Sequence, residues 1–154
     1  EQVAVPDGDL LIHSGDATIT GTLHEITLFS KWFAELPHPL KIFVAGNHDT
    51  LFEQRPDEAQ ALLDIGVIYL QDSAVELEGF KIYGSPWQPR FYDWAFNLMR
   101  GPELAEKWNL IPDDIDILIT HGPPNGILDL VPRQGWDEKT GCEELRKRVA
   151  EIAE

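Results

Sequence analysis

Leu40-Lys41-Ile42-Phe43-Val44-Ala45-Gly46-Asn47-His48-Asp49 is an apolar run that ends in an amide, an imidazole and a carboxylate. Bounded by Pro39 and Gly46, Leu40–Ala45 reads as a buried strand. An open α/β sheet binds its ligands at the C-terminal tips of its strands, where Asn47-His48-Asp49 would stand. The pattern occurs twice more: Leu10-Leu11-Ile12-His13-Ser14 runs into Gly15-Asp16, and Ile115–Thr120 runs into His121-Gly122. Three hydrophobic strands that each deliver a metal-capable residue point to a metal site built from strand tips, and to hydrolysis of a phosphate ester.

The surrounding elements suit such a sheet. Thr22–Leu36 is expected to be an amphipathic helix, with Leu23, Ile26, Phe29, Phe33 and Leu36 on one stripe and Pro37 stopping it. Strand, helix and strand in that order favour a parallel pair. Further on, Asp57–Ile65 reads as a helix begun at Pro56 and closed at Gly66, and Val67–Leu70 as a short strand. Ala74–Leu77 and Phe80–Tyr83 flank a Glu78-Gly79 hairpin turn. Ser85–Met99 has no clean period, Pro102–Leu110 is a short helix, and Gly122–Trp136 reads as a Pro/Gly loop. Thr140 and Glu143 form a capping box for a last helix reaching about Ala153.

Composition narrows the function classes. The 154 residues suffice for one domain, with 43% hydrophobic and 25% charged residues. A formal charge of −15 disfavours long nucleic acids, whose phosphates need Lys or Arg partners. A small anionic substrate stays open, because bound divalent cations reverse the local sign. No apolar stretch approaches the roughly 20 residues of a membrane span, and no signal-peptide pattern opens the chain. A single cysteine, Cys142, fits a reducing compartment and so a cytoplasmic location. Oligomeric state has no signature here.

Asp16, Asn47 and His121 would form a mixed oxygen–nitrogen ligand set suited to manganese, iron or zinc. A carboxylate has two oxygens, so Asp16 can bridge two ions. Water held between such ions, roughly 3.5–4 Å apart, becomes hydroxide near neutral pH and attacks phosphorus in line. His48 is expected to assist at the leaving oxygen as acid or transition-state stabiliser. Arg90 is the candidate phosphate contact in the aromatic loop Trp87–Phe96, which either packs on the sheet or walls the pocket. His13 reads as a packed core residue, and His24 and His38 as solvent-facing. Cys142, near a helix start, could have a lowered pKa but has no partner motif for a nucleophile's role.

Gly15-Asp16, Gly46-Asn47-His48-Asp49 and Thr120-His121-Gly122-Pro123-Pro124 resemble consecutive motifs of the calcineurin-like metallophosphoesterases. The likeness extends through Tyr69–Ser73, Tyr83–Trp87, Phe96–Leu98 and Lys107–Pro112, which are similar to the brain-type subgroup of metallophosphoesterase-domain-containing proteins. The resemblance implies an α/β fold, a β-sandwich flanked by helices, with two divalent or mixed-valence metal ions at strand tips. Manganese is favoured over iron and zinc. Asp16 would be the bridging aspartate, Asn47 and His121 ligands of the second metal, His48 the histidine on the scissile phosphate, and Asp49 a supporting residue. The implied reaction is hydrolysis of a small phosphodiester such as a cyclic nucleotide. The alternative is a nucleotide-binding scaffold with little turnover. A protein phosphatase is a weaker match, because Ala17–Gly21 lacks the arginine those enzymes carry after the first motif.

Two motifs of the resembled family are absent: Asp-x-His ahead of Asp16, and Gly-His-x-His after His121. Residues 1–154 are therefore expected to be a single, partial phosphoesterase domain, incomplete at both ends. It would hold most of one metal site and only the bridge of the other.

Overall fold

Consecutive side chains of one strand serve two separate cores. Ile42 and Val44 point to one side of the sheet, Phe43 and Ala45 to the other, and all four are fully buried. A strand covered on both faces must lie inside a layered α/β structure.

The computed structural model describes residues 4–133 and 135–153. The elements in chain order are β1 (Leu10–His13), α1 (Leu23–Glu35), β2 (Leu40–Phe43), α2 (Thr50–Gln54), α3 (Pro56–Gln60), β3 (Val67–Tyr69), β4 (Ser73–Leu77) and β5 (Phe80–Ser85). There follow β6 (Gln88–Pro89), β7 (Asn97–Leu98), α4 (Pro102–Trp108), β8 (Ile117–Thr120), β9 (Leu130–Arg133), β10 (Trp136–Lys139) and α5 (Glu143–Ile152). One sheet has the order β1-β2-β3 and is wholly parallel. A second has the order β4-β5-β8, antiparallel between β4 and β5 and parallel between β5 and β8, and β6-β7 and β9-β10 form two further two-stranded sheets.

The inner faces of the two sheets meet through Ile42, Val44, Leu70, Ile82 and Ile119. Outside the first sheet, Phe43 packs with Ile26, Phe29 and Phe33 of α1 and with Leu51 and Phe52 of α2. Outside the second, Tyr83 packs with Leu104 and Trp108 of α4 and Leu145 of α5. The layers thus run helix, sheet, sheet, helix: a β-sandwich flanked by helices. Each of these large buried side chains contributes roughly 1.5–3 kcal/mol.

Several local expectations hold. Glu78 and Gly79 both take positive φ, 50° and 84°, as a two-residue hairpin turn requires. Others need correction. The helix expected over Asp57–Ile65 is shorter, α3, and a second short helix, α2, precedes it. Leu130↔Lys139 pairing makes an antiparallel hairpin of β9 and β10 where a loop was expected. Gln134 in that stretch, like residues 1–3 and Glu154 at the ends, lies outside the described residues. Thr140 does not cap α5; its hydroxyl donates to the Asp129 carbonyl, and Cys142 is the N-cap, its sulfur accepting from the Leu145 N–H. Burial pushes the Cys142 thiol up rather than down. His38 is buried, not solvent-facing, with Nε2 against the Pro6 carbonyl at 2.8 Å. Among the described residues no helix is long and apolar enough to cross a membrane.

At the start of α1, Thr22 and Glu25 form a capping box. The Glu25 carboxylate accepts from the Thr22 N–H and from the hydroxyls of Thr22 and Thr20. These bonds, the Thr22 backbone first, hold its pKa at about 2, below the ordinary 4.5. The stabilisation is therefore complete above pH 4.5 and is lost as the pH falls through about 2. The melting temperature of Glu25→Gln is expected to lie below wild type at neutral pH. The gap should close on acidification to about pH 2; a gap independent of pH would exclude the carboxylate as its source.

Candidate functional site

Because β1 and β2 are parallel, the segments that follow them, Ser14–Thr18 and Gly46–Asp49, emerge at one end of the sandwich. The end of β8 brings His121 over them from the other sheet. Close approach depends on two glycines. A Cβ on Gly46 would lie 2.4 Å from both the backbone N and the Oδ1 of Asp16, and 2.7 Å from His121 Cε1. A Cβ on Gly15 would lie 2.3 Å from His121 Nδ1 and 2.7 Å from the Gly46 Cα. No side chain larger than hydrogen fits at either position without separating the loops.

Asp49 holds the junction from beneath. It is fully buried, and its carboxylate accepts from Gly46 N–H (2.7 Å), Thr18 N–H (2.9 Å), Thr18 Oγ1 (2.8 Å) and Ala17 N–H (3.2 Å). One side chain thereby ties the loop after β1 to the loop after β2. It supports Asp16 from the adjoining residues and does not point to the surface with it.

Asp16 takes a left-handed conformation, φ 58°, which aspartate tolerates better than most residues. Its Oδ1 accepts the His48 backbone N–H at 3.1 Å and lies 3.5 Å from His121 Nε2. The same His121 nitrogen is 2.8 Å from Asn47 Oδ1. So Asp16, Asn47 and His121 converge on one spot, and the Asn47 side chain is nearly inaccessible there.

The donor chemistry of that spot fits a cation. His121 Nδ1 lies 2.9 Å from the Ser14 carbonyl, which can only accept, so Nδ1 carries a proton. A neutral ring then turns a bare lone pair at Nε2 toward two oxygens, Asn47 Oδ1 and Asp16 Oδ1. Three lone-pair atoms facing each other repel unless a proton or metal ion lies among them. Two ligands about 2.1 Å from a common ion sit roughly 3.0–3.4 Å apart, close to the separations found. A histidine fixed through its other nitrogen by a backbone carbonyl is the usual support of a metal ligand. Among the described residues no three His, Cys, Asp or Glu side chains cluster as a metal site. The set here is one carboxylate, one imidazole and one amide oxygen.

His48 turns away from that spot. Its Nδ1 is 2.7 Å from the Ile19 carbonyl, and its ring packs on Trp94 with centroids 3.9 Å apart. The proton on Nδ1 is thus committed to Ile19, and the Glu25 network that caps α1 also holds the Ile19 N–H. Nε2 remains for chemistry. Trp94 sits in the aromatic loop, which the Ala95 N–H fastens to the Asn47 carbonyl at 3.0 Å. Neither Trp94, the Ser14 carbonyl nor Thr18 was singled out from the sequence. Thr18 carried one readable signal, its hydroxyl two residues beyond Asp16; Trp94 lies in an aperiodic stretch and carried none.

The remaining candidates fall outside. Arg90 is exposed and pairs with Asp93 at 2.8 Å, on the rim of a cleft next to Gly122. His13 is wedged against Phe29, Phe33 and Phe43. Burial lowers its pKa, against a weaker upward pull from Asp49 and Asp16. It is a core residue, as expected. His24 is exposed on α1.

The sequence pattern of the calcineurin-like phosphoesterases matches residues 1–149. Metallophosphoesterase domain-containing protein 1 of Homo sapiens is 46% identical over an alignment covering 97% of this chain and 52% of that protein, and its Mus musculus counterpart matches equally. UPF0046 protein T07D4.2 of Caenorhabditis elegans is 38% identical over 94% of the chain and 43% of its own length. The chain spans about half the length of these curated relatives.

Replacing Asp49 by Asn keeps the shape but turns an amide NH2 toward N–H donors. Each stranded donor costs about 1–3 kcal/mol, so Asp49→Asn should lose on the order of 3 kcal/mol in urea unfolding. The approach of Asn47 and Asp16 to His121 should loosen with it because the loops separate, read as faster hydrogen exchange at the Gly46 and Thr18 amides. Wild-type stability in Asp49→Asn would remove the proposed clamp.

Proposed function

Since the chain belongs to the calcineurin-like phosphoesterases, a family of metal-dependent phosphoester hydrolases that usually use a dinuclear centre, we propose that it cleaves a small phosphodiester, with cyclic nucleotides as the substrate class and manganese as the favoured ion. Residues 1–154 would form part of one such domain, in a reducing, cytoplasmic setting. The observation that carries this reading is the approach of Asn47 Oδ1, at 2.8 Å, and Asp16 Oδ1, at 3.5 Å, to the one nitrogen His121 Nε2.

In this reading Asn47, His121 and Asp16 would hold one ion, and Asp16 would also help to hold a second. When bound, the ions supply Lewis-acid activation of water and neutralise charge on the phosphoryl oxygens. The protein's own part is orientation and proton handling. The Ser14 carbonyl fixes the His121 tautomer with its lone pair at Nε2. The Ile19 carbonyl and the Trp94 ring fix His48. With Nδ1 engaged, His48 Nε2 is the atom that donates to a phosphoryl or leaving-group oxygen as negative charge develops there. Arg90 can exchange its exposed Asp93 partner for a substrate phosphate, since such surface pairs contribute little.

The test is hydrolysis of bis(p-nitrophenyl) phosphate and of cyclic nucleotides by the full-length protein with added manganese. Asp16→Ala should lower kcat/KM about 100-fold or more, beyond the usual cost of losing a supporting residue. His48→Ala should lower kcat by about 10²–10⁴ with little change in metal binding. Full activity in Asp16→Ala would refute the mechanism. Calorimetric nucleotide binding with no product would instead favour a nucleotide-binding scaffold, a reading consistent with the small His/Asp complement of the site among the described residues.

A further inference from the structure

One residue beyond His121 the surface opens into a cleft of about 350 Å³. The chain passes tightly there: a Cβ on Gly122 would stand 3.3 Å from the Gln88 Cβ. From that floor the cleft runs between β6, with Arg90 and Phe91 beyond it, and the β10 end of the last hairpin, with Arg100 and Lys139 on its lining. Its size lies in the range that holds small ligands, roughly 300–1,000 Å³.

The charge of this lining runs against that of the protein. The chain has 12 Lys and Arg against 27 Asp and Glu, yet three of the cations and one carboxylate, Glu138, line this single cleft. Arg100 is prepared for a ligand. Its Nη1 donates to the Gly141 carbonyl at 2.7 Å and its Nη2 to the Thr140 carbonyl at 3.3 Å. Carbonyls orient the guanidinium without neutralising it, and among the described residues it forms no ion pair. Among the described residues Arg90 pairs only with the exposed Asp93. Lys139 likewise forms no ion pair among the described residues.

We propose that this cleft is a second anion subsite, so that the preferred substrates are nucleotide phosphodiesters carrying a terminal phosphate in addition to the scissile one. This rests on the phosphodiesterase reading of the site at Asp16, Asn47 and His121. With the scissile phosphoryl beside His121, the part of the substrate over Gly122 continues into the cleft. A terminal phosphate there reaches the planar donors of Arg100 and the ammonium of Lys139. A substrate with only the scissile charge leaves those cations in water.

The test compares a dinucleotide with and without a 5′-phosphate, each made with a phosphorothioate at the internal linkage to slow hydrolysis. Affinity is read by calorimetry on the manganese-loaded full-length protein, and turnover with the unmodified pair. The 5′-phosphorylated form is expected to bind about tenfold more tightly, the effect of one charge-assisted contact. That ratio should fall toward one in Lys139→Gln combined with Arg100→Gln, and Lys139→Arg should retain it, which separates lost charge from lost folding. A ratio near one in wild type, with both dinucleotides cleaved, overturns the subsite and leaves the phosphodiesterase reading standing. A tenfold preference that survives the double variant also overturns it, since the preference then originates elsewhere. If neither dinucleotide binds, the subsite falls, while hydrolysis of cyclic nucleotides by the same protein keeps the phosphodiesterase reading.

Discussion

The site depends on a buried carboxylate that meets no substrate. Asp49 gathers N–H groups from two loops that belong to different strands, and the glycines at 15 and 46 let those loops touch. Each part requires the other. Without the glycines the loops stand too far apart for one carboxylate to span; without the carboxylate, the buried N–H groups of Thr18 and Gly46 lose their acceptor. Only with both in place does Asp16 turn into its left-handed conformation beside His121. The sandwich sets where the strands end, and this junction sets the orientation of their terminal side chains.

The layered fold was legible because its signals are local and mutually consistent. Leu- and Ile-rich runs marked β1, β2 and β8, the stripe Ile26, Phe29 and Phe33 marked α1, and Glu78-Gly79 marked the hairpin. The candidate ligands were legible for a related reason. A polar residue directly after a buried strand has one place to go, the edge of the sheet, and three such edges coincide here.

What escaped the sequence was structure built from long-range contacts. Pro132 inside β9 argues against a strand, but a two-stranded hairpin has edges that tolerate proline. The five-residue helix α2 is too short to show a period. The two-residue strands β6 and β7 exist through bonds such as Arg90 N–H to the Leu98 carbonyl across the aromatic loop, and no pattern of adjacent residues encodes them. Cys142 caps α5 with sulfur, an acceptor outside the usual serine, threonine, aspartate and asparagine signature. The buried His38 is explained by a single contact with the Pro6 carbonyl, 32 positions away.

The acidity of the chain is compatible with the proposed anionic substrate because the charges are segregated. Asp16 and Asp49 form no ion pair with Lys or Arg among the described residues, so the strand-tip site is negative and selects cations. Metal ions held there would reverse its sign and draw a phosphoryl group in. A cationic residue placed beside Asp16 would attract phosphate directly, but it would also repel the ions on which activation of water depends. Arg90, Arg100 and Lys139 stand instead around the cleft that Gly122 lines, one residue beyond His121. On the proposed reading, a site with that division of labour would take its metal first and its anion second. The order follows from the sign of the field at each step and requires no moving part.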